Sequence, residues 1–459
     1  MKNPLLVPEL RELVAEGQFD TLREFCETSH PAIVAEMLSA LEPAEVWEVL
    51  RHASHPVQAD VFSHLEEDVQ EEVLDVLRRE ELARLFSDMP PDDRVDLFKR
   101  LSEERQEAIL PALAMAERED IRRLASYEER TAGAIMTSEY ATLAPGQTVA
   151  QAIERLRREA PDKETIYYSY VLDDQRRLLG HVSLKDLILA KPDALVRDVM
   201  HPDVISVRVS DDQEEAARRI RKYDLIALPV VDEGDALVGI ITHDDALDVI
   251  VQEQTEDIEK LMAIGGSHEA LGYLKTSAWG HFRRRSLWVL ALAALGLVSG
   301  FIVQSYEGML KQLVILAAFM PMLVGTGGNT GSQSASLVVR ALALREMKPG
   351  DIFRVLGKEL QIALMLGLML GLVAYGRVAL HGGSAALPAG VSLSMVGVAI
   401  AVALALQVVT ATLIGAVLPL AAARLRLDPA VVASPALTTT VDITGLVIYF
   451  TTVKLLLPI

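Results

Sequence analysis

From residue 276 onward the chain carries five apolar segments, at about 286–304, 313–343, 359–380, 391–420 and 429–457. The longer ones exceed the roughly 20 residues that a helix needs to cross a bilayer, so tilt or overhang is expected. Lipid offers no partners to backbone N–H and C=O groups, so runs of this length must satisfy them internally as helices. Lys and Arg collect at alternate connections. Arg283, Arg284 and Arg285 precede the first span, Arg340, Arg345, Lys348, Arg354 and Lys358 separate the second from the third, and Arg424 and Arg426 separate the fourth from the fifth. The opposite connections hold Lys311 and Arg377. By the positive-inside rule the N-terminus is expected inside and, after five spans, Ile459 outside.

The remainder of the chain differs in charge. Of the 64 Asp and Glu residues only six lie beyond residue 275, against thirteen of the 44 Lys and Arg. A strongly acidic polar part therefore precedes a mildly basic apolar one. An acidic surface repels nucleic acid and attracts cations, although solubility alone also accounts for it. The single cysteine, Cys26, excludes a disulfide framework and a cysteine-based zinc site. The opening "MKNPLLVPELRELVAEG" has early acids and no long apolar core. It does not read as a secretory signal, so the front half is expected on the cytoplasmic side.

Residues 1–130 show a helical period. "EPAEVWEVL" from Glu42, "DVQEEVLDVLRREELARLF" and "PPDDRVDLFKRL" from Pro90 place apolar residues at i, i+3 and i+4, two of them behind a proline and acids. An all-α docking module without chemistry satisfies this pattern. Residues 131–250 hold an internal repeat. "AIMTSEYATLAPGQTVAQAIERLRR" aligns with "DVMHPDVISVRVSDDQEEAARRIRK", Met136 opposite Met200. "YVLDDQRRLLGHVSLKDLI" aligns with "LPVVDEGDALVGIITHDDAL", Gly180 opposite Gly239. The offset falls from 64 to 59, which assigns about five extra residues to the first copy, within "EAPDKETIYY". Each copy predicts strand, helix, strand, turn, strand, helix. The pair resembles tandem CBS domains, whose turns like "GHVSLKD" and "GIITHDD" often touch an adenosine nucleotide. A hydroxyl and backbone amides at a helix start suit phosphate, and the Asp suits ribose hydroxyls. A simple N-cap explains the same residues. Residues 247–275 read as one helix leaving the second copy, with a break at Gly265-Gly266.

Two stretches interrupt the apolar spans. "GTGGNTGSQ", from Gly325 to Gln333, lacks the Lys of a phosphate-binding loop and follows no strand. Its glycines suit close helix packing. Asn329 and Gln333 ask for more, since an amide in lipid needs a partner or water. In "TTTVDITG", Thr438 to Gly445, Asp442 is the one acid that reads as lying well inside a span. An intramembrane carboxylate marks a functional site by default. Thr438, Thr439, Thr440 and Thr444 surround it, as the lining of a wet path would.

"PMLVGTGGNTGSQSASLVVRAL" and "DPAVVASPALTTTVDITGLVIYF", behind a helical front end, two CBS copies and an acidic connecting helix, resemble the MgtE family of magnesium channels over nearly the whole chain. The resemblance implies a multi-domain fold: an all-α superhelical domain over 1–130, CBS domains over 131–198 and 199–250, a connecting helix over 251–275 and a five-helix pore domain over 276–459. It implies a homodimer in the cytoplasmic membrane that passes hydrated Mg²⁺ and is closed by cytosolic Mg²⁺. The pore aspartate matches Asp442 and the pore-lining asparagine Asn329, with Gly325, Gly328, Thr438 and Gly445 as further pore candidates. The sensing acids match Asp224, Asp245, Asp248, Glu253, Glu256 and Asp257. Asp212 and Glu214 join them, as do Asp88, Asp92 and Asp93 of "DMPPDDR", which carry no residue-by-residue match. Tyr168, Ser183 and Asp186 match nucleotide contacts of some members, which makes ATP a candidate ligand beside Mg²⁺. Mg²⁺ sheds water reluctantly, so such a pore should hold the hydrated ion, with two Asp442 carboxylates facing across a twofold axis. The alternative is a proton- or sodium-coupled transporter with Asp442 as relay. Five spans without an evident membrane repeat argue against it. No nucleophile–base constellation in the spans points to an enzyme.

Overall fold

The computed structural model describes residues 6–262, 264, 276–381, 387–432 and 435–458. The chain divides into two compact units, Met1–Glu253 and Gln254–Ile459. The first unit begins with short helices from α1 (Val7–Glu16) to α10 (Met115–Leu124), and no strand occurs among the described residues before Tyr140. Pro31, Pro43, Pro56 and Pro91 each stand at the first or second helical position. There the missing N–H is no loss and φ is already set. "EPAEVWEVL" forms α4 (Pro43–Leu50), with Glu45 accepting from the Glu42 backbone N–H at 3.0 Å. The stretch 68–86 forms two helices, α6 (Glu67–Val76) and α7 (Arg79–Asp88), separated where Leu77 and Arg78 turn extended. The acids after Pro90 open α8 (Pro91–Arg100). Cys26 is buried in the core of this array.

The repeat folds as two three-stranded sheets. The first copy runs β1 (Tyr140–Leu143), α11 (Val149–Glu159), β2 (Thr165–Leu172), β3 (Leu178–Ser183), α12 (Leu184–Leu189), and the short α13 (Val196–Val199) follows. The second runs β4 (Val207–Arg208), α14 (Gln213–Tyr223), β5 (Ala227–Val231), β6 (Leu237–Thr242) and α15 (His243–Leu261). In both, the first two strands pair parallel and the last two antiparallel. The extra residues of the first copy appear as a longer second strand and a jump in register, Tyr140 opposite Thr165 but Ala141 opposite Ser169.

Each copy also lends its leading segment to the other. Thr137 exchanges backbone bonds with Ile240 on β6, at 2.8 and 3.0 Å, and His201 does so with His181 on β3, at 3.0 and 2.9 Å. Gly180 and Gly239 make the room. A Cβ at Gly180 would meet the His201 carbonyl at 2.8 Å, and one at Gly239 would meet the Met136 sulfur at 2.5 Å. The two pairs aligned in the sequence are thus one exchanged contact made twice. A continuous apolar core joins the helical array to the second copy, from Leu10 to Val249.

α15 carries the last helix of the second copy and the start of the connecting helix as one element, so the boundary at 250 falls inside it. Residues 265–275, including the Gly265-Gly266 break, lie outside the described residues.

Among the described residues, the second unit holds five helices long and apolar enough to cross a membrane. They are α16 (Ala278–Ser305), α18 (Met320–Ala343), α19 (Ile352–His381), α20 (Leu393–Arg424) and α22 (Pro435–Leu456), with short α17 (Glu307–Gln312) and α21 (Pro429–Val432) between. Several spans begin differently from the sequence reading, and the first helix starts at Ala278, eight residues before its apolar run. The third helix starts at Ile352, seven residues before the apolar run, and the fifth apolar run is split into α21 and α22. α20 is central, packed on α18, α19 and α22, while α16 lies along α22. The backbones of α18 and α20 come close enough that a Cβ on Gly415 would overlap the Gly331 carbonyl, which only glycine allows.

Candidate functional site

In the first unit, acids from three places line one cavity of about 310 Å³. Asp92, Asp93 and Asp96 come from the start of α8, Asp245 and Asp248 from the start of α15, and Glu67 from α6. The Asp92 Oδ1 is closed off from solvent without a hydrogen-bond partner. Burial pushes the Asp96 and Asp245 carboxyls up to about 6, and burial with Asp244 and Asp245 nearby pushes Glu164 to about 7. Asp92 is held well above the carboxylate range by burial and by Asp245, Asp93 and Glu164. Asp93 and Asp248 are raised too, by burial first. Shifts of this sign mean that the folded protein resists holding these groups as anions together. A divalent cation in this cavity would supply the missing charge. Among the described residues no three His, Cys, Asp or Glu side chains converge to grip a metal directly. An ion in this cavity would keep most of its water, as Mg²⁺ prefers.

Four of the expected sensing acids meet here: Asp92, Asp93, Asp245 and Asp248. The others do not. Asp88 is exposed at the end of α7. Asp212 caps α14, accepting from the Glu214 N–H at 2.8 Å. Glu214 pairs with Arg218. Asp224 ends α14 with φ 51°, a left-handed position that Asp tolerates through its short polar side chain. Glu253 is held by Arg130 at 3.0 Å and by Gln213 at 2.7 Å. In the second unit, Glu256 is buried and paired with Lys260 at 2.9 Å, and Lys260 also reaches Asp428 at 2.8 Å. Asp257 is half-buried on the next position of the helix. Glu253 and Glu256 are thus matched by cations. Glu67, Asp96 and Glu164 are the acids that sequence reasoning missed. Asp96 follows Asp92 by one helical turn, the spacing that puts both on one face. Glu164 sits in the residues assigned to the insertion.

The two CBS copies share a small cleft, which Tyr168 lines from the first. Ser183 and Asp186 bond each other, Ser183 Oγ donating to Asp186 Oδ2 at 2.5 Å and the Asp186 N–H donating to Ser183 Oγ at 3.1 Å. They cap α12. His201, not expected from the sequence, stands 3.2 Å from the same carboxylate. Tyr168 packs edge-on to His181. With Tyr170, His181 and Ile205, Tyr168 lines a cavity of about 80 Å³. Tyr170 Oη and His181 Nδ1 are both buried without a partner.

In the second unit, Gly325, Asn329 and Gln333 stand at exposed positions four apart on α18, one stripe along its length. Gly328 and Gly445, expected to line the same path, lie elsewhere. Gly328 is buried against Thr438 of α22, whose methyl an added Cβ would meet at 3.2 Å. Gly445 is buried against Gln407 of α20. Both glycines serve close helix approach. Asp442 is half-buried on α22, and its Oδ1 is closed off without a partner. Thr440 and Thr444 turn their hydroxyls back to their own helix, at 2.8 and 2.9 Å. A second acid is also enclosed: Glu359 of α19 is buried and accepts from Ser334 Oγ of α18 at 2.8 Å. Its place at the edge of an apolar run concealed it in the sequence.

Comparison with known proteins agrees across the chain. The MgtE family profile, described as a divalent cation transporter, matches residues 320–452. The MgtE intracellular N domain matches 29–130, and CBS domains match 132–193 and 196–252. Magnesium transporter MgtE of Thermus thermophilus is 39% identical over 98% of both chains. That of Bacillus subtilis is 33% identical over 95% of this chain and 94% of its own. Among solved structures, the cytosolic domain of the Mg²⁺ channel MgtE in complex with ATP is 40% identical with a TM-score of 0.50, covering 52% of this chain and 98% of its own. The soluble part of a magnesium transporter is 37% identical with a TM-score of 0.52, covering 54% and 97%.

Proposed function

Because the chain belongs to the MgtE family of magnesium transporters, we propose that it is a channel for hydrated Mg²⁺ in the cytoplasmic membrane, closed when Mg²⁺ fills the acidic cavity of its first unit. The observation that carries the transport reading is Asp442, a carboxylate inside a membrane-spanning helix with one oxygen enclosed and unpartnered. A cation pathway is the ordinary reason to keep such a group in a span. Two chains related by a twofold axis would present two such carboxylates, matching a divalent charge. Asn329, Gly325 and Thr438 border the same path, and their small or amide side chains suit hydrogen bonds to the ion's water shell. The front half lies inside the cell and Ile459 outside in this reading, which the Lys and Arg distribution supports.

The gate follows from the cavity. Without Mg²⁺, Asp92, Asp93, Asp245 and Asp248 repel one another across the junction of α8 and α15. Two unit charges about 4 Å apart interact by roughly 4 kcal/mol at an effective dielectric near 20. Mg²⁺ reverses the sign of that interaction and favours the arrangement that brings the acids together. α15 then transmits the change, because this one helix runs from the cavity acids past Glu253 into the second unit. ATP is a second ligand of the first unit, at Tyr168, Ser183 and Asp186, as a relative's complex suggests.

The test is Mg²⁺ flux into proteoliposomes, with and without a pH gradient. Asp442→Ala and Asp442→Asn should abolish flux with the protein still folded. Normal uptake by either removes the pore assignment. Uptake that requires the gradient favours a coupled transporter, with Asp442 carrying the proton.

A further inference from the structure

Gln407 sits midway along α20 and is fully buried, in a helix otherwise built of apolar and small residues. An amide at that depth is expensive unless its polar atoms are satisfied. Half of it is. Nε2 donates to the Val441 carbonyl of α22 at 2.9 Å, while Oε1 has no partner. An apolar side chain of the same length would fill the space without an orphaned acceptor, so packing alone does not account for a glutamine here.

The surroundings are shaped around the amide. A Cβ on Gly327 of α18 or on Gly445 of α22 would overlap Nε2. These glycines belong to the two stretches that interrupt the apolar spans, "GTGGNTGSQ" and "TTTVDITG". One side chain from a third helix therefore occupies the notch that both leave open. Val441 is itself fully buried against this junction. Asp442, the next residue, faces about 100° further round the helix. A bond to the Val441 carbonyl thus sets both the height of α22 against α18 and α20 and its rotation about its own axis. That rotation decides where the Asp442 carboxylate points.

The geometry points to Gln407 as the positioning residue for Asp442: its amide clamps α22 so that the carboxylate is presented to the passing ion. This rests on the reading of Asp442 as the pore carboxylate. Gln407 does not touch the ion. Its effect reaches transport through the direction and distance of Asp442, and so through the affinity with which the hydrated ion is held.

The experiment measures initial Mg²⁺ flux against Mg²⁺ concentration in proteoliposomes of the full chain, with Asp442→Ala alongside. Gln407→Met keeps the length and loses the donor. It should raise the half-saturating Mg²⁺ concentration about five-fold, the equivalent of one ordinary buried hydrogen bond, with the melting temperature close to that of the unsubstituted protein. Gln407→Glu keeps the shape and, as the carboxylic acid, offers an O–H that can still donate. It should remain within about two-fold of the original half-saturation, and the contrast with Gln407→Met, which fills the same space without a donor, separates the hydrogen bond from packing. If Gln407→Met lowers only the maximal flux, or changes nothing, while Asp442→Ala is dead, Gln407 is a packing residue and the inference fails. If Gln407→Met cannot be recovered folded, Gln407→Leu is read by the same two criteria, and a raised half-saturation in Gln407→Glu overturns the clamp. Transport by Asp442→Ala would instead overturn the pore reading on which the clamp depends.

Discussion

Asp245→Asn should stabilise the first unit when Mg²⁺ is absent. In the folded chain the Asp245 carboxyl is pushed from 3.8 up to about 6, chiefly by burial and further by Asp244 and Asp93. The folded protein therefore binds this proton more tightly than the unfolded chain. The associated stability is fully present below pH 4 or so, is lost as pH rises through about 6, and is gone at pH 7.5. A tenfold difference in proton affinity between the folded and unfolded chains corresponds to about 1.4 kcal/mol. The loss at neutral pH is then at most roughly 3 kcal/mol, and sharing of charge with Asp92 and Glu164 places it at about 1–3 kcal/mol. Asn carries no charge to lose, and its carbonyl can still accept from Thr242 Oγ1, which bonds Asp245 at 2.5 Å. The assay is hydrogen exchange of the α8 backbone amides in the full chain in detergent with chelator. At pH 7.5 the variant should exchange about 5- to 100-fold more slowly than the parent, and the difference should shrink at pH 5. Mg²⁺ should protect the parent strongly and the variant less, because the variant offers one charge fewer. Equal or faster exchange by the variant at pH 7.5 in chelator would refute the account of the cavity as mutually repelling carboxylates.

Two further predictions concern the nucleotide and the choice of sensing acids. Asp186→Ala should weaken ATP binding about ten-fold or more in calorimetry, since a charged acceptor for ribose hydroxyls is lost; a parent protein that gives no heat with ATP would remove the nucleotide altogether. Neutralising Asp92 and Asp93 together should raise the Mg²⁺ concentration that silences currents, and should do so more than Glu253→Gln. Glu253 already has Arg130 and Gln213 as partners, so an equal or larger shift from Glu253→Gln would move the sensor out of the cavity.

Much of this protein was legible in its residues because the relevant signals are local or periodic. Five long apolar runs can only become helices in lipid, and five such helices occur among the described residues. The repeat required two similar halves, and the paired Met136/Met200 and Gly180/Gly239 marked their exchanged contacts. Asp442 stood out because a carboxylate inside an apolar run is rare whatever surrounds it. What depended on the third dimension was the choice among residues that look alike in one. "GTGGNTGSQ" offers several small residues, and only the rotation of α18 puts Gly325 and Asn329 on its exposed stripe while burying Gly327 and Gly328 between helices. The acids of the first half are too numerous for composition to rank them. Contact between α8 and α15 groups Asp92, Asp93 and Asp96 with Asp245, whereas Arg130 and Lys260 neutralise Glu253 and Glu256, partners that lie 123 and four residues away. Gln407 carries no motif at all. Its meaning comes from Val441, Gly327 and Gly445 on two other helices, because a hydrogen bond between distant segments is set by how the helices pack, and no local pattern in the chain encodes that.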